Sequence, residues 1–223
     1  VLSDLAVVIP ALNATATLPA TLAALAPGSP GAVIVVDGSS TDATVAVAQH
    51  LGARTVSAPR GRGGQIAAGV AACGQPWLLL LHADTRLDPS WPAAVAAHIA
   101  EGPAAAGYFR FTLDSDDPRA RRLERLVAWR CRRFALPYGD QGLLIHRALL
   151  ADTGGMPDLP LMEDVALVRR LGRARLRALP ANAVTSAAKW QRDGWRARSA
   201  RNLLLLALYR CGVSPRALAR LYR

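Results

Sequence analysis

The sequence has almost no lysine, few cysteines and no long apolar run, and each scarcity narrows what the chain can be. Lys189 is the only lysine, so nearly all of the positive charge is guanidinium, which suits bidentate contacts with phosphate or carboxylate. Cys73, Cys131 and Cys211 lie far apart and form neither a metal-ligand pair nor an even disulfide set. They are expected as ordinary packed thiols in a reducing compartment. The longest suspicious apolar run, Leu203 to Tyr209, is far shorter than the ~20 residues a membrane-spanning helix requires. The N-terminus shows no basic segment followed by an apolar stretch, so no secretory signal is expected and a cytoplasmic location is. Internal repeats and low-complexity linkers are missing as well. For 223 residues with 52% hydrophobic content, one main domain is the expectation.

What is present is unevenly placed. Residues 1–111 carry five arginines against six acids, a net charge of −1, whereas residues 112–223 carry 22 basic against ten acidic residues, a net charge of +12. The basic half suggests an anionic partner, but no nucleic-acid-binding motif accompanies the charge, so nucleic acid is not the expected one. An arginine-rich polyanion-binding module is kept as a competing reading, to be judged by the salt dependence of binding.

The first half alternates strand-like and helix-like pieces. Leu5 to Ile9 and Ala32 to Val36 read as apolar strands, with apolar residues at helical spacing over Thr15 to Leu25 between them. The turn DGSSTD then leads into a helix from about Ala43 to His50, with Thr41 or Asp42 as its N-cap. A strand at Arg54 to Ser57, the glycine-rich RGRGGQ and a helix from Gln65 to Ala72 follow. This rhythm predicts an α/β fold, a mainly parallel sheet flanked by helices on both faces. Later elements are a helix through Ala93 to Ile99, strands at Gly107 to Leu113, Leu143 to His146 and Arg175 to Leu179, and two arginine-rich helices. The first offers Leu123, Leu126, Val127 and Cys131 to one face; the second opens with LMEDVALVRRL, its Glu163 and Asp164 at the positive end of the helix dipole. His50 and His98 read as surface or partly buried residues.

The stretch LLLLHADTRL, Leu78 to Leu87, is where chemistry is expected. Four leucines predict a strand buried on both faces, and in open α/β sheets ligands bind outside the carboxyl ends of the strands. Asp37 and Asp84 both end strands of a parallel sheet, which would put them on one edge as an acidic rim suited to a divalent cation holding a diphosphate. His82 stands beside Asp84, and either residue could instead be part of a solvated turn. In RGRGGQ, Arg60 to Gln65, the glycines can let backbone amides approach an anion, but the spacing is neither a dinucleotide fingerprint nor a Walker loop.

VVIPALN (Val7 to Asn13), VIVVDGSSTDAT (Val33 to Thr44), RGRGGQ and LHADT, in that order and spacing, resemble the nucleotide-binding half of family 2 glycosyltransferases of the GT-A fold. GDQGLLIHR, GGMPDLPLMEDVALVRRL and KWQRDGW resemble a bacterial subgroup of that family. The resemblance implies a Rossmann-like GT-A catalytic domain over residues 1–190, with a nucleotide-binding half (1–111) and an acceptor half (112–190), followed by basic amphipathic helices over 191–223. It implies an inverting transfer of sugar from a nucleoside diphosphate-sugar, UDP-linked by family habit, to a hydroxyl acceptor that is a small molecule or lipid-linked. Asp37 would bind base or ribose, with Pro10, Ala11, Asn13, Gly38, Arg60, Gly63, Gln65 and Ala83 around the nucleotide. Asp84, with His82, would match the metal-binding end of the DxD motif for Mg or Mn. Asp164, with Glu163, would match the ED motif that supplies the general base. Gly139, Asp140, Gln141 and Trp190 would face the acceptor, although a tight turn and an aromatic core equally account for them.

Three departures stand out. His82 occupies the first aspartate position of DxD, which bears on metal identity. Ala14 stands where many relatives carry glutamate. Lys189 and Trp190 resemble the end of QxxRW without its glutamine, so processive polymer synthesis is not expected. A nucleotidyltransferase acting on a sugar phosphate would share the acidic rim. The C-terminal WRARSARNLLLLALYRCGVSPRALARLYR could lie at the inner face of an anionic membrane, pack on the catalytic domain or form a homodimer interface.

Overall fold

The computed structural model describes residues 1–222. The chain runs β1 (Leu2–Ala11), α1 (Leu18–Leu25), β2 (Pro30–Asp37), α2 (Thr44–His50), β3 (Arg54–Ser57), α3 (Arg62–Ala71) and β4 (Trp77–Leu80). It continues through β5 (Thr85–Leu87), α4 (Trp91–Ala100), β6 (Ala106–Leu113), α5 (Pro118–Phe134), β7 (Leu143–His146), α6 (Arg147–Asp152) and α7 (Glu163–Leu171). Last come β8 (Leu176–Thr185), α8 (Ala188–Asp193), α9 (Trp195–Arg210) and α10 (Pro215–Tyr222). All eight strands join one sheet in the order β3-β2-β1-β4-β7-β6-β8-β5.

The first four strands pair in parallel, as their apolar character implies, and the sheet then turns mixed: β7 lies antiparallel to both β4 and β6, and β5 is antiparallel to β8. β1 and β4 are central, and β4 is buried throughout. The period-2 alternation of a strand sorts their side chains into two layers. Leu5, Val7, Ile9, Leu79 and Leu81 meet Leu18 and Leu22 of α1 and Trp91 and Val95 of α4 on one face. Ala6, Val8, Leu78 and Leu80 meet Ile66 of α3 and Leu167, Val168 and Leu171 of α7 on the other. Gly69 lets α3 lie close on the sheet, since a Cβ there would come within 2.4 Å of the Val8 Cγ1.

Several local expectations change. Asp42 does not cap α2: Ala43 holds the cap position, and the Asp42 carboxylate instead accepts from the Thr44 amide and hydroxyl inside the preceding turn. On α5, Val127 and Cys131 are buried, but Leu126 is 63% exposed, because it lies toward the opposite side of the helix. His98 is buried, its Nε2 within hydrogen-bond distance of the Ala105 carbonyl oxygen. Cys211 is exposed rather than packed. The C-terminal helices rest on the body: Trp195 joins Phe111, Ala120 and Trp190, while Leu205 and Leu218 meet Leu161. Among the described residues no helix is long and apolar enough to cross a membrane.

Candidate active site

The site forms where several elements end at one edge. β2 and β4 flank β1 in parallel, so Asp37 and the His82–Asp84 turn leave the sheet on the same side, two strand spacings or about 10 Å apart. β7 begins beside the end of β4, with Leu80 paired to Leu143, so the preceding 3-10 turn Gly139–Gln141 falls directly beside His82. β8 ends against β5, with Thr85 paired to Thr185, and α8 then carries Lys189 back over Asp84. α7 contributes Glu163 and Asp164 from its first turn.

At the centre, Asp164 is held by two amides: its Oδ2 accepts from Gly139 N at 2.7 Å and its Oδ1 from Val165 N at 2.7 Å. Gly139 is required there, since a Cβ would stand 2.5 Å from His82 Nε2 and 3.1 Å from Asp164 Oδ2. A small pocket in front of these groups is lined by Pro10, His82, Tyr138, Gly139, Glu163 and Asp164 on its polar side and by Ile66, Leu80, Met156, Leu167 and Val168 elsewhere. Arg62 spans the floor of the site, its Nε 3.0 Å from Glu163 Oε1 and its Nη1 3.3 Å from His82 Nε2. Lys189 Nζ lies 2.8 Å from Asp84 Oδ2.

Burial and these partners set the protonation states. Burial, with Arg62 adding to it, pushes the His82 imidazole down to about 4 against the pull of Asp84 and Asp164, so the ring is neutral near pH 7. Burial pushes the Glu163 carboxyl up to about 7, with Asp164 adding and Arg62 opposing. It raises Asp140 to about 6, against Arg130, with Asp164 and Asp84 adding. Burial also works against an ionised Asp84, yet Lys189 and His82 hold its pKa below the usual carboxylate value. Glu163, Asp140 and Asp84 therefore crowd one edge beside Asp164 with their carboxyl pKa values pushed in opposite directions, a pattern that marks functional sites.

The remaining expected residues divide into those at the rim and those that build it. Asp37 Oδ1 and Oδ2 accept from the Ser40 amide, and Oδ2 also from that of Ser39. Asn13 Oδ1 accepts from the Thr41 amide while its own amide donates to Ser40 Oγ, so the loops after β1 and β2 are laced together. Arg60 is exposed. Gln65 is buried rather than open to a ligand, donating Nε2 to the carbonyls of Ala11 and Val36 and so bracing the ends of β1 and β2. Gly38 and Gly63 are both sites of close packing. A Cβ on Gly38 would meet the Gln65 side chain at 2.9 Å, and one on Gly63 the Pro157 carbonyl at 2.2 Å. Ala11 is buried, and Ala83 accepts the Thr21 hydroxyl at its carbonyl oxygen.

On the acceptor side, Gly139 and Asp140 lie at the site, and Asp140 Oδ1 is buried with no hydrogen-bond partner among the described residues. Gln141 is 2% exposed and ties the Tyr138 amide to the Phe109 carbonyl, a structural staple rather than an acceptor contact. Trp190 packs among Phe111, Ala187 and Trp195 and presents no face for a sugar to stack on. Glu163, paired with Asp164 in the motif, is 1% exposed and anchors Arg62 through its Oε1.

Two residues escaped the reading of the sequence. Arg62 rather than Arg60 turns into the site, because it occupies the first turn of α3, a position that becomes evident only once that helix start is known. Tyr138 lines the pocket with Arg130 stacked 3.6 Å from its ring centroid, a contact that forms only when the end of α5 meets the 3-10 turn.

As a metal site the donors are few. No group of three or more His, Cys, Asp or Glu among the described residues could hold an ion by itself. The donor chemistry fits one that arrives with a ligand: Asp84 offers a hard carboxylate and His82 a neutral imidazole, and Mg²⁺ is commonly held by one or two carboxylates plus substrate phosphates. Lys189 now occupies the Asp84 oxygen and would have to yield.

An acidic rim at the carboxyl ends of parallel strands, continued by a mixed sheet flanked by helices, is the architecture of the α/β GT-A fold. The model for "Glycosyl transferase family 2" matches residues 6–151, and the chain belongs to that family. Uncharacterised glycosyltransferases of Mycobacterium bovis and Mycobacterium tuberculosis are 36% identical over 138 residues, which cover 60% of this chain and 62% of each relative. Among solved structures, S. aureus TarS 1–349 superposes with TM-score 0.62 at 16% identity, over 82% of this chain and 60% of that one. Glucosyl-3-phosphoglycerate synthase from Mycobacterium tuberculosis, in complex with Mn²⁺, UDP and glucosyl-3-phosphoglycerate, superposes with TM-score 0.61 at 21% identity, over 94% of this chain and 80% of that one. At these identities the two structures establish the fold.

Proposed function

We propose that the protein transfers a sugar from a nucleoside diphosphate-sugar to a hydroxyl acceptor in one inverting displacement, with Asp164 as the general base. The observation that carries this reading is the Asp164 carboxylate itself, fixed by the amides of Gly139 and Val165 beside a neutral His82, with the Lys189–Asp84 pair on the same edge. A base that accepts the acceptor's proton in the transition state must be oriented before the acceptor arrives, and two backbone donors do that at no further entropic cost.

The nucleoside lies over the laced loops of Asn13 and Asp37, and the diphosphate lies between Arg62 and Lys189, where guanidinium and ammonium groups offset the charge that develops as it departs. Asp84, with His82, would hold a Mg²⁺ or Mn²⁺ ion delivered with the diphosphate, and such an ion when bound supplies Lewis-acid charge to the leaving group. Glu163 positions Arg62. UDP is the favoured nucleotide, because UDP and UDP-GlcNAc occupy related structures of the same fold. The acceptor is a small or lipid-linked alcohol.

Asp164→Asn is expected to lower transfer by about 10²–10⁴-fold while leaving the thermal shift induced by UDP and Mn²⁺ intact. Asp84→Ala is expected to lose transfer and also to weaken that shift. Full transfer by both variants would overturn the assignment. Release of nucleoside monophosphate in place of diphosphate would establish a nucleotidyltransferase instead.

A further inference from the structure

Helix α7 separates two recesses. Its Leu167 and Val168 wall the pocket in front of Asp164, and its Val165, Val168 and Arg169 wall a groove of about 270 Å³ shared with the end of α5 and with α9. This second recess plays no part in the proposed transfer. Its lining mixes apolar Phe134, Leu136 and Leu206 with Arg169, Arg173 and Arg210. Arg173 is anchored by donating to the carbonyls of Arg132 and Arg133 at the end of α5.

The two helices that border the groove carry the same mixture outward. On α5, Leu126, Trp129 and Phe134 are 63%, 53% and 47% exposed, with Arg122, Arg125, Arg132 and Arg133 exposed between them. Trp129 and Phe134 touch edge to face at 5.3 Å between centroids, forming a single aromatic ridge. On α9, Leu203 and Leu204 are 65% and 59% exposed between Arg196 and Arg210. From Val165 to the last residue the only acid is Asp193, and it is already engaged by Arg192 and Arg198.

Large apolar side chains left exposed on both helices that border the groove mark an interaction surface, and the interleaved arginines decide among partners. A twofold contact with a second copy would bury this arginine-rich patch against its own copy, with no free acid in it to offset the charge. A nucleic acid would satisfy the arginines and stack on Trp129 but leave Leu126, Leu203 and Leu204 unused. A bilayer with anionic headgroups satisfies both: guanidinium groups meet the phosphates while leucine and tryptophan enter the interface. We infer that the outward faces of α5 and α9, with the groove between them, dock the protein peripherally on an anionic lipid bilayer. The surface is thus a composite of an internal helix and the C-terminal segment, and α7 links it to the wall of the Asp164 pocket.

The test is flotation of the full chain with phosphatidylcholine vesicles and with vesicles enriched in phosphatidylglycerol, independent of any transfer assay. Partition is expected on the anionic vesicles only, falling as salt is raised. Substituting Arg122→Ser with Arg125→Ser should lower the partition coefficient by roughly 25-fold, about fivefold per arginine. Trp129→Ser with Leu203→Ser should lower it as well, and both pairs sit at exposed positions where unchanged thermal melting can be verified. Failure to bind anionic vesicles, or binding indifferent to the apolar pair, would overturn the inference. So would a concentration-dependent dimer in sedimentation that the same substitutions abolish.

Discussion

Gly139→Ala tests whether the 3-10 turn positions the base. The added Cβ would stand 2.5 Å from His82 Nε2 and 3.1 Å from Asp164 Oδ2, whereas unstrained contacts fall near ~3.5 Å or beyond. Relief therefore demands a movement of about 1 Å by His82, by a smaller amount for Asp164, or a retreat of the turn that breaks the 2.7 Å bond from Gly139 N to Asp164. A misplacement of about 1 Å can cost 10²-fold in rate. The backbone at Gly139 is not left-handed, so alanine adds no conformational strain and the damage should be confined to the site. We expect kcat to fall by about 10²-fold with only modest change in melting temperature, measured as diphosphate release alongside a thermal melt. Gly74→Ala is the matched control, since a Cβ there meets nothing within 4 Å. If Gly139→Ala turned over at the wild-type rate while Asp164→Asn was inactive, the turn would not be what holds the base.

Three further outcomes follow from the same geometry. Glu163 binds its proton more tightly in the folded state, about 7 against 4.5, so its contribution to stability is whole below pH 4.5 and is lost as pH rises through 7; the difference corresponds to about 3 kcal/mol. Urea denaturation of wild type and Glu163→Gln across that window should diverge by this order, and parallel curves would contradict the buried carboxyl. Lys189→Met removes the cation on Asp84, so metal-free UDP should bind about tenfold more weakly and Mn²⁺ more tightly, by titration calorimetry; unchanged affinities would show that Lys189 stands apart from the diphosphate. Gly28→Ala drives a Cβ to 2.2 Å from the Trp91 ring and should cost about 1–3 kcal/mol of stability without altering kinetics, a loss read from chemical denaturation.

Much of the first half was legible because its signals are local. The apolar runs of β1, β2 and β4 are long enough and bare enough of polar residues to announce strands buried on both faces, and helical spacing between them implies parallel order. Asp37 and Asp84 could then be placed on one edge from strand polarity alone. The ordered motifs named the family, whose model matches residues 6–151.

Roles that depend on which way a side chain turns were not legible. RGRGGQ does not say whether Arg60 or Arg62 faces inward, nor that Gln65 is consumed by the Ala11 and Val36 carbonyls. Lys189 reaches Asp84 across 105 positions of sequence because β8 ends beside β5, and the same helix turn sends Trp190 into the core. Hydrophobic periodicity is a property of neighbouring residues and so survives in the sequence. The meeting of Gly139, His82 and Asp164 depends on an antiparallel strand inserted beside β4, a pairing whose register only the packed sheet selects.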